Sequence, residues 1–285
     1  MRAAPQIIPQ AAAGARGPVL VAEDNEINQQ VITEQLSRLG YRCVVVANGR
    51  EALAQWQNGG FAAVLTDLQM PEMDGYELVA RIRAEENGLA RIPVVALTAN
   101  ALKGEAERCM AAGMDHYLTK PVQTRAMGAL LNALTGGRAA KPGEDPQPST
   151  PAGAPLRLAG GAPAPVDPAV LATLIGDDPE TLREFMRDFG HSARRASSEL
   201  TVAFQANDEG RAGAAAHRLK SSARAIGAIR LGDLCDAVES AMHGGDLEAQ
   251  GRALAAFEAE LALVQAWIGR HDTPAACPAP AGATP

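Results

Sequence analysis

Five residues of this chain end short aliphatic runs, and their side chains together suggest one chemistry. Glu23 and Asp24 follow "PVLVA", Asp67 follows "FAAVLT", Thr98 closes "IPVVALT" and Lys120 follows "DHYLT". If those runs are strands of one parallel sheet, all five side chains meet at its carboxyl edge, where open α/β sheets place their sites. Three carboxylates at one mouth repel one another unless a hard cation sits among them, and an all-oxygen set suits Mg²⁺. The Thr98 hydroxyl and the Lys120 ammonium then face the oxygens of a phosphoryl group. A carboxylate nucleophile, Mg²⁺ and a lysine make a site for an acyl phosphate. A single strand-end aspartate is explained as well by helix capping. Five chemically complementary residues, each at a strand end, are not.

A second feature lies far along the chain, in "AAAHRLKSSARAIGA" (residues 214–228). Alanine, leucine, lysine and arginine predict a helix. At about 100° per residue, His217, Lys220, Ser221 and Arg224 share one face. Ala212, Ala215, Leu219, Ala223 and Ile226 share the opposite one, so the apolar stripe is buried and the histidine looks outward. An outward imidazole beside two cations and a hydroxyl suits an anionic visitor.

The intervening text says what positions these groups. From Pro18 to about Leu134, β-branched runs alternate with helical segments: "PVLVAED" then "EINQQVITEQLSRLG", "YRCVVVAN" then "GREALAQWQNG", "FAAVLTD" then "GYELVARIRAEE", "IPVVALTA" then "LKGEAERCMAAG", "DHYLTKP" then "QTRAMGALLNAL". Five β-α units in series imply a parallel sheet covered on both faces. Residues 137–166 lose all apolar periodicity and are rich in Pro, Gly and Ala. They read as a flexible linker averaging about 30 Å end to end. From Asp167 onward only helical periods appear, with Asp178–Pro179 as a helix start. Residues 1–17 and 272–285 read as disordered tails.

The totals exclude several classes. The 285 residues suggest two domains of ordinary size. Apolar content is 47% with only 4% aromatic, so the cores are aliphatic and alanine-rich. A net charge of -7 argues against direct nucleic-acid binding. The four cysteines form no CxxC pair, so neither a zinc site nor a disulfide framework is indicated. No apolar run is long enough to cross a membrane, and the amino terminus is a poor signal peptide. A cytoplasmic location is expected.

The first region resembles the receiver domains of two-component signalling, above all those joined to hybrid sensor kinases. The resemblance rests on "LVAEDNEINQ", "VLTDLQMPEMDGYEL", "PVVALTANA" and "GMDHYLTKP" and covers about 120 residues. It implies a flavodoxin-like fold over residues 18–136. It implies phosphorylation at Asp67, with Mg²⁺ held by Glu23, Asp24, Asp67 and the backbone carbonyl of Gln69. It further implies Thr98 as the switch hydroxyl, Tyr117 as the switch aromatic, Lys120 as the phosphate lysine and a cis bond at Pro121. Met70 and Pro71 shape the loop after the acceptor, and the small Ala99 leaves the phosphate accessible. His116, near the mouth, is read as an ordinary surface histidine, and Cys109 as partly buried packing.

The second region, residues 167–271, resembles a histidine-containing phosphotransfer (HPt) domain, a four-helix bundle. That resemblance makes His217 a phosphoryl acceptor, with Lys220 balancing phosphate charge and Arg224 assisting. It also sets Ser221 where the family usually has a small residue to admit a receiver, and Gly227 where the helix meets its neighbour. The implied function is a phosphorelay. A kinase histidine phosphorylates Asp67, the group moves to His217, and a separate response regulator takes it. No ATP-binding glycine boxes precede the receiver, so the chain is expected not to phosphorylate itself from ATP. It is read as the C-terminal part of a hybrid sensor kinase, tethered to a membrane through that portion, or as its partner in trans. Two alternatives are an aspartyl-phosphate phosphatase, against which Gln69 counts because such enzymes want an aspartate there, and a docking module without relay activity.

Overall fold

A computed structural model describes residues 17–86, 91–99, 103–135, 164–244 and 246–272. The expected tails and linker lie outside the described residues apart from their innermost ends, and Cys277 with them. The chain begins with five β-α units: β1 (Val19–Ala22), α1 (Glu26–Arg38), β2 (Cys43–Val46), α2 (Gly49–Gln57), β3 (Ala63–Asp67), α3 (Gly75–Glu85), β4 (Val94–Thr98), α4 (Lys103–Ala111), β5 (His116–Thr119) and α5 (Thr124–Thr135).

The strands form one parallel sheet in the order β2-β1-β3-β4-β5. Each is short, and β1, β3 and β4 are buried on both faces, so they read as unbroken apolar runs without alternation. Alternate residues nevertheless serve two cores. Leu20, Val64, Val94 and Ala96 meet Leu78, Val79 and Ile82 of α3. Val19, Val21, Leu65, Val95 and Leu97 meet Ile32 and Leu36 of α1 and Met127 and Leu131 of α5. The chain order reverses around β1 and β3, which opens a crevice at their carboxyl ends.

The second body is helical: α6 (Pro168–Ile175), α7 (Pro179–Gln205), α8 (Glu209–Ala225), α9 (Ile229–Gly244) and α10 (Leu247–His271). Helices α7 to α10 make the bundle, and α6 lies across it against α7 and α8. Four of these helices start on an aspartate that accepts from backbone N–H groups, Asp167, Asp178, Asp208 and Asp246. Each such cap contributes about 1 kcal/mol. Pro168 and Pro179 follow two of them at the first turn, where a missing N–H costs nothing. Phe189 and Phe257 are the largest fully buried side chains, and either truncated to Ala costs about 3–5 kcal/mol. Gly227 ends α8 at φ 85°, and a Cβ there would lie 2.0 Å from the Asp167 carbonyl oxygen. Only glycine lets α8 close against the start of α6.

The two bodies touch through α1. Ile27 and Val31, on its outer face, are 1% and 5% exposed and belong to the apolar cluster of the helical bundle. The Thr124 hydroxyl at the start of α5 donates to the Leu174 carbonyl of α6 at 2.7 Å, and the Arg38 guanidinium lies against Gly176.

Candidate functional site

The end of β1 delivers Glu23 and Asp24, and the end of β3 delivers Asp67, one strand over. Oxygens of these three carboxylates lie within 4.8 Å of one another. Glu23 is wholly buried and Asp67 is 5% exposed. Asn28 Nδ2 donates to Glu23 Oε1 at 2.8 Å, and Lys120 Nζ donates to Glu23 Oε2 at 2.6 Å. The same ammonium also bonds Asp67 Oδ2, so Lys120 bridges two of the three acids. The Gln69 backbone N–H donates to Asp67 Oδ1 at 3.2 Å. A Cβ on Gly75 would sit 2.3 Å from the Asp67 carbonyl oxygen, so glycine is required for the turn into α3 to pass beneath the acid.

The electrostatics follow from crowding. Burial, with the charge of Asp67 adding to it, pushes the Glu23 carboxyl up to about 7 despite Lys120. Burial and Asp67 likewise push Asp24 up to about 6. Burial disfavours the Lys120 ammonium, but Asp67 and Glu23 outweigh it and raise its pKa. A cluster with more negative charge than its one lysine can neutralise, and with only carboxylate donors, has the chemistry of a hard divalent-cation site.

The other residues read from the sequence fall around this mouth. Thr98 ends β4 and is buried, and its carbonyl accepts from the Lys120 N–H at 2.7 Å. Ala99 follows it, half-buried. Tyr117 and Met70 pack, partly buried, on the apolar cluster beside the mouth, and Pro71 is exposed. The Lys120–Pro121 peptide is cis. His116 opens β5 and pairs with Val95, which sets it at the opposite end of the strand from the mouth. The expectation that it lies near the mouth is corrected: a parallel strand of four residues separates the two. Cys109 packs as expected but is fully rather than partly buried.

On the helical body, His217 lies midway along α8. The apolar face is as expected, with Ala212, Ala215, Leu219, Ala223 and Ile226 all buried. The histidine face is less open than the helical wheel implies. The His217 side chain is 16% exposed, and Lys220 and Ser221 are buried. Two neighbours cover them, α9 within the bundle and α1 from the sheet domain. Glu239 of α9 meets His217 Nδ1 at 3.2 Å and accepts from Lys220 Nζ at 2.9 Å. Lys220 also donates to Asp236 at 2.7 Å, and Arg224 donates to Asp236 and Asp233 at 2.6 and 3.0 Å. Burial raises the Glu239 pKa, but the hydrogen bonds from His217 and Lys220 prevail and pull it down to about 2.

Docking through α1 brings the two sites together. Asp24 feels the charges of Arg218 and His217 across the interface, and both lower its pKa. Sequence reasoning missed Glu239, Asp236 and Asn25. The acids of α9 carry no motif, and only the antiparallel pairing of α8 with α9 shows that they face His217. Asn25 follows the acid pair without a motif of its own, and its bond to the Arg218 carbonyl depends on the other domain.

Residues 19–132 match the family described as response regulator receiver domain, and residues 184–267 match the Hpt domain family. The chain is 32% identical over 281 residues to the virulence sensor protein BvgS of Bordetella bronchiseptica, an alignment that takes in 92% of this chain and 22% of that protein. Over 113 residues it is 44% identical to the sensor histidine kinase RcsC of Salmonella typhi, 40% of this chain and 12% of that one. It thus spans about a fifth or less of the length of these relatives. Among solved structures, the receiver domain of sensor histidine kinase PA1611 from Pseudomonas aeruginosa, with a magnesium ion coordinated in its active site cleft, is 43% identical, with 43% of this chain and 99% of that chain covered and a TM-score of 0.40. The chain therefore joins a response regulator receiver domain to an Hpt domain, and both belong to two-component phosphorelay signalling.

Proposed function

We propose that Asp67 accepts a phosphoryl group from a kinase histidine, and that His217 takes it from Asp67 and passes it to the receiver of a separate response regulator. The observation that carries this reading is the seating of α1 on the bundle, with Ile27 and Val31 buried in it and Asn25, next to Asp24, bonded to the carbonyl of Arg218, next to His217. The carboxylates of Glu23, Asp24 and Asp67, with the Gln69 carbonyl, would hold Mg²⁺, and the all-oxygen, charge-crowded carboxylate set fits that ion. Bound there, the ion would offset charge on the phosphoryl oxygens.

This chain's own groups do the rest. Lys120 bridges Asp67 and Glu23 and is placed to follow a phosphoryl oxygen once Asp67 is esterified. Thr98 supplies a hydroxyl on the same side, beside the small Ala99, with Tyr117 next to the mouth. In the transfer the bond from phosphorus to the Asp67 carboxylate breaks as a bond from phosphorus to His217 forms. The carboxylate leaves unprotonated. With Nδ1 facing Glu239, Nε2 is the attacking nitrogen, and Nδ1 keeps its proton. The ring gains positive charge as the new bond forms, and the Glu239 carboxylate meets it. Lys220, buried beside Glu239 and Ser221, holds that carboxylate in place and stands one turn from the histidine.

The test uses the full chain. Acetyl phosphate with Mg²⁺ should first give label destroyed by alkali and hydroxylamine, an acyl phosphate, which then converts to label destroyed by acid, a phosphohistidine. Label that never leaves the alkali-sensitive pool, with an added receiver or without one, overturns the relay reading.

A further inference from the structure

We infer that Asn25 is a positioning residue for the transfer, the pin that fixes the register of the receiver on the Hpt bundle; the inference rests on the relay reading above. Asn25 immediately follows Asp24 of the acid mouth, and Arg218 immediately follows His217. Asn25 Nδ2 donates to the Arg218 carbonyl oxygen at 2.8 Å and to Ser222 Oγ at 3.4 Å. One side chain therefore ties the residue beside the acids to the residue beside the histidine.

The other end of the same amide is committed as well. Asn25 Oδ1 accepts from the backbone N–H groups of Ile27 and Asn28 at 3.0 and 3.1 Å, which caps α1. With the oxygen turned to the helix start, the nitrogen must face the bundle; the reverse orientation would set a donor against two donors and an acceptor against a carbonyl. Ser222 is oriented to match. Its hydroxyl proton goes to the Leu219 carbonyl at 3.0 Å, which leaves its lone pairs for Asn25. Asn25 and Ser222 are 7% and 0% exposed, so these bonds are sheltered from water.

Simple helix capping explains only half of this geometry. Ser and Asp cap as well as Asn and Thr somewhat less, but none carries an acceptor and a pair of donors on opposite sides of one short amide. The Thr124 bond to Leu174 is also directional, but it joins α5 to α6; among the described residues, the other contacts that α1 makes with the bundle do not fix register. Ile27 and Val31 supply buried apolar area, which is non-directional. Glu26 pairs with Arg195, but both side chains are more than 60% exposed, and exposed pairs contribute little. Gln30 to Asp188 is a long, exposed bond of 3.2 Å.

Loading of Asp67 by acetyl phosphate and its onward transfer to His217 are read separately in the full chain, as alkali-labile and acid-labile phosphate. Asn25→Ser keeps a cap but cannot reach α8. It is expected to slow transfer about tenfold relative to loading. Ser222→Ala, on the other domain, is expected to slow it about threefold, and Arg195→Ala by less than about twofold. Transfer by Asn25→Ser as fast relative to loading as in the parent overturns the inference. If that variant fails to load Asp67 at all, Ser222→Ala decides, and a parental rate there overturns it. Failure of the parent chain to form phosphohistidine is a different result: it removes the relay reading, and the role of Asn25 with it.

Discussion

His217 Nδ1 lies 3.2 Å from Glu239 Oε1, and the same carboxylate receives Lys220 at 2.9 Å through its other oxygen. The histidine of α8 is thus oriented from α9, by an acid that is itself held by a lysine one turn from the histidine.

Removing that acid should slow the histidine step. Glu239→Ala is expected to reduce transfer from Asp67 to His217 about tenfold or more, and Glu239→Gln, which still accepts a hydrogen bond but carries no charge, by less. Loading of Asp67 should be unchanged in both. Single-turnover labelling of the full chain makes the comparison; equal transfer rates in all three proteins would remove Glu239 from the mechanism.

The same acid should mark acid denaturation. Its carboxyl is held at about 2 against a usual value of 4.5. The stability it contributes is complete above about pH 4.5 and is lost as pH falls toward 2. The titratable groups facing it are His217, Lys220 and, through Lys220, Asp236. The melting temperature of the parent should fall more steeply between about pH 5 and pH 3 than that of Glu239→Gln. Parallel curves would contradict the assignment.

The acid mouth should trade stability for metal. Asp24 titrates at about 6, raised from 3.8, so its folded-state carboxylate is disfavoured and the protein loses stability as pH rises through that value. At about pH 8, Asp24→Asn should therefore raise the metal-free melting temperature. Combined with Glu23→Gln, it should abolish Mg²⁺ binding in calorimetry, because one remaining carboxylate holds this ion poorly. A parental Mg²⁺ isotherm for the double variant would refute the ligand set.

The two acceptors should separate cleanly. Asp67→Asn should abolish labelling by acetyl phosphate with the circular dichroism unchanged. His217→Gln should leave only alkali-labile phosphate and give none to an added receiver. Label passing outward from His217→Gln at the parental rate would make the bundle a docking module.

Most of this was legible in the residues, for identifiable reasons. Strand-end chemistry is a one-dimensional signal, because a parallel sheet puts every carboxyl end at one edge. Glu23, Asp24, Asp67, Thr98 and Lys120 could therefore be grouped before any fold was seen. The faces of α8 were legible because the helical period is fixed. Exposure was not. Lys220 and Ser221 are buried because α9 and α1 arrive from other parts of the chain, and nothing in "HRLKSS" encodes their approach. His116 was misplaced for a simpler reason: in so short a strand, four residues separate one end of the sheet from the other.

Ile27 and Val31 have one more consequence, which concerns insulation from cross-talk. A helix face sunk in the bundle leaves no seat for a second receiver at the same place and time. Its owner is joined to that seat by fewer than thirty-five residues, from the end of α5 to the start of α6, and a connection of that length corresponds to a local concentration in the millimolar range, roughly. A stray receiver present at about micromolar level would have to bind about a thousandfold more tightly to hold the seat half the time. On the proposed relay, foreign regulators would be turned away by arithmetic rather than by shape. A regulator that is served would have to arrive while the resident receiver is off.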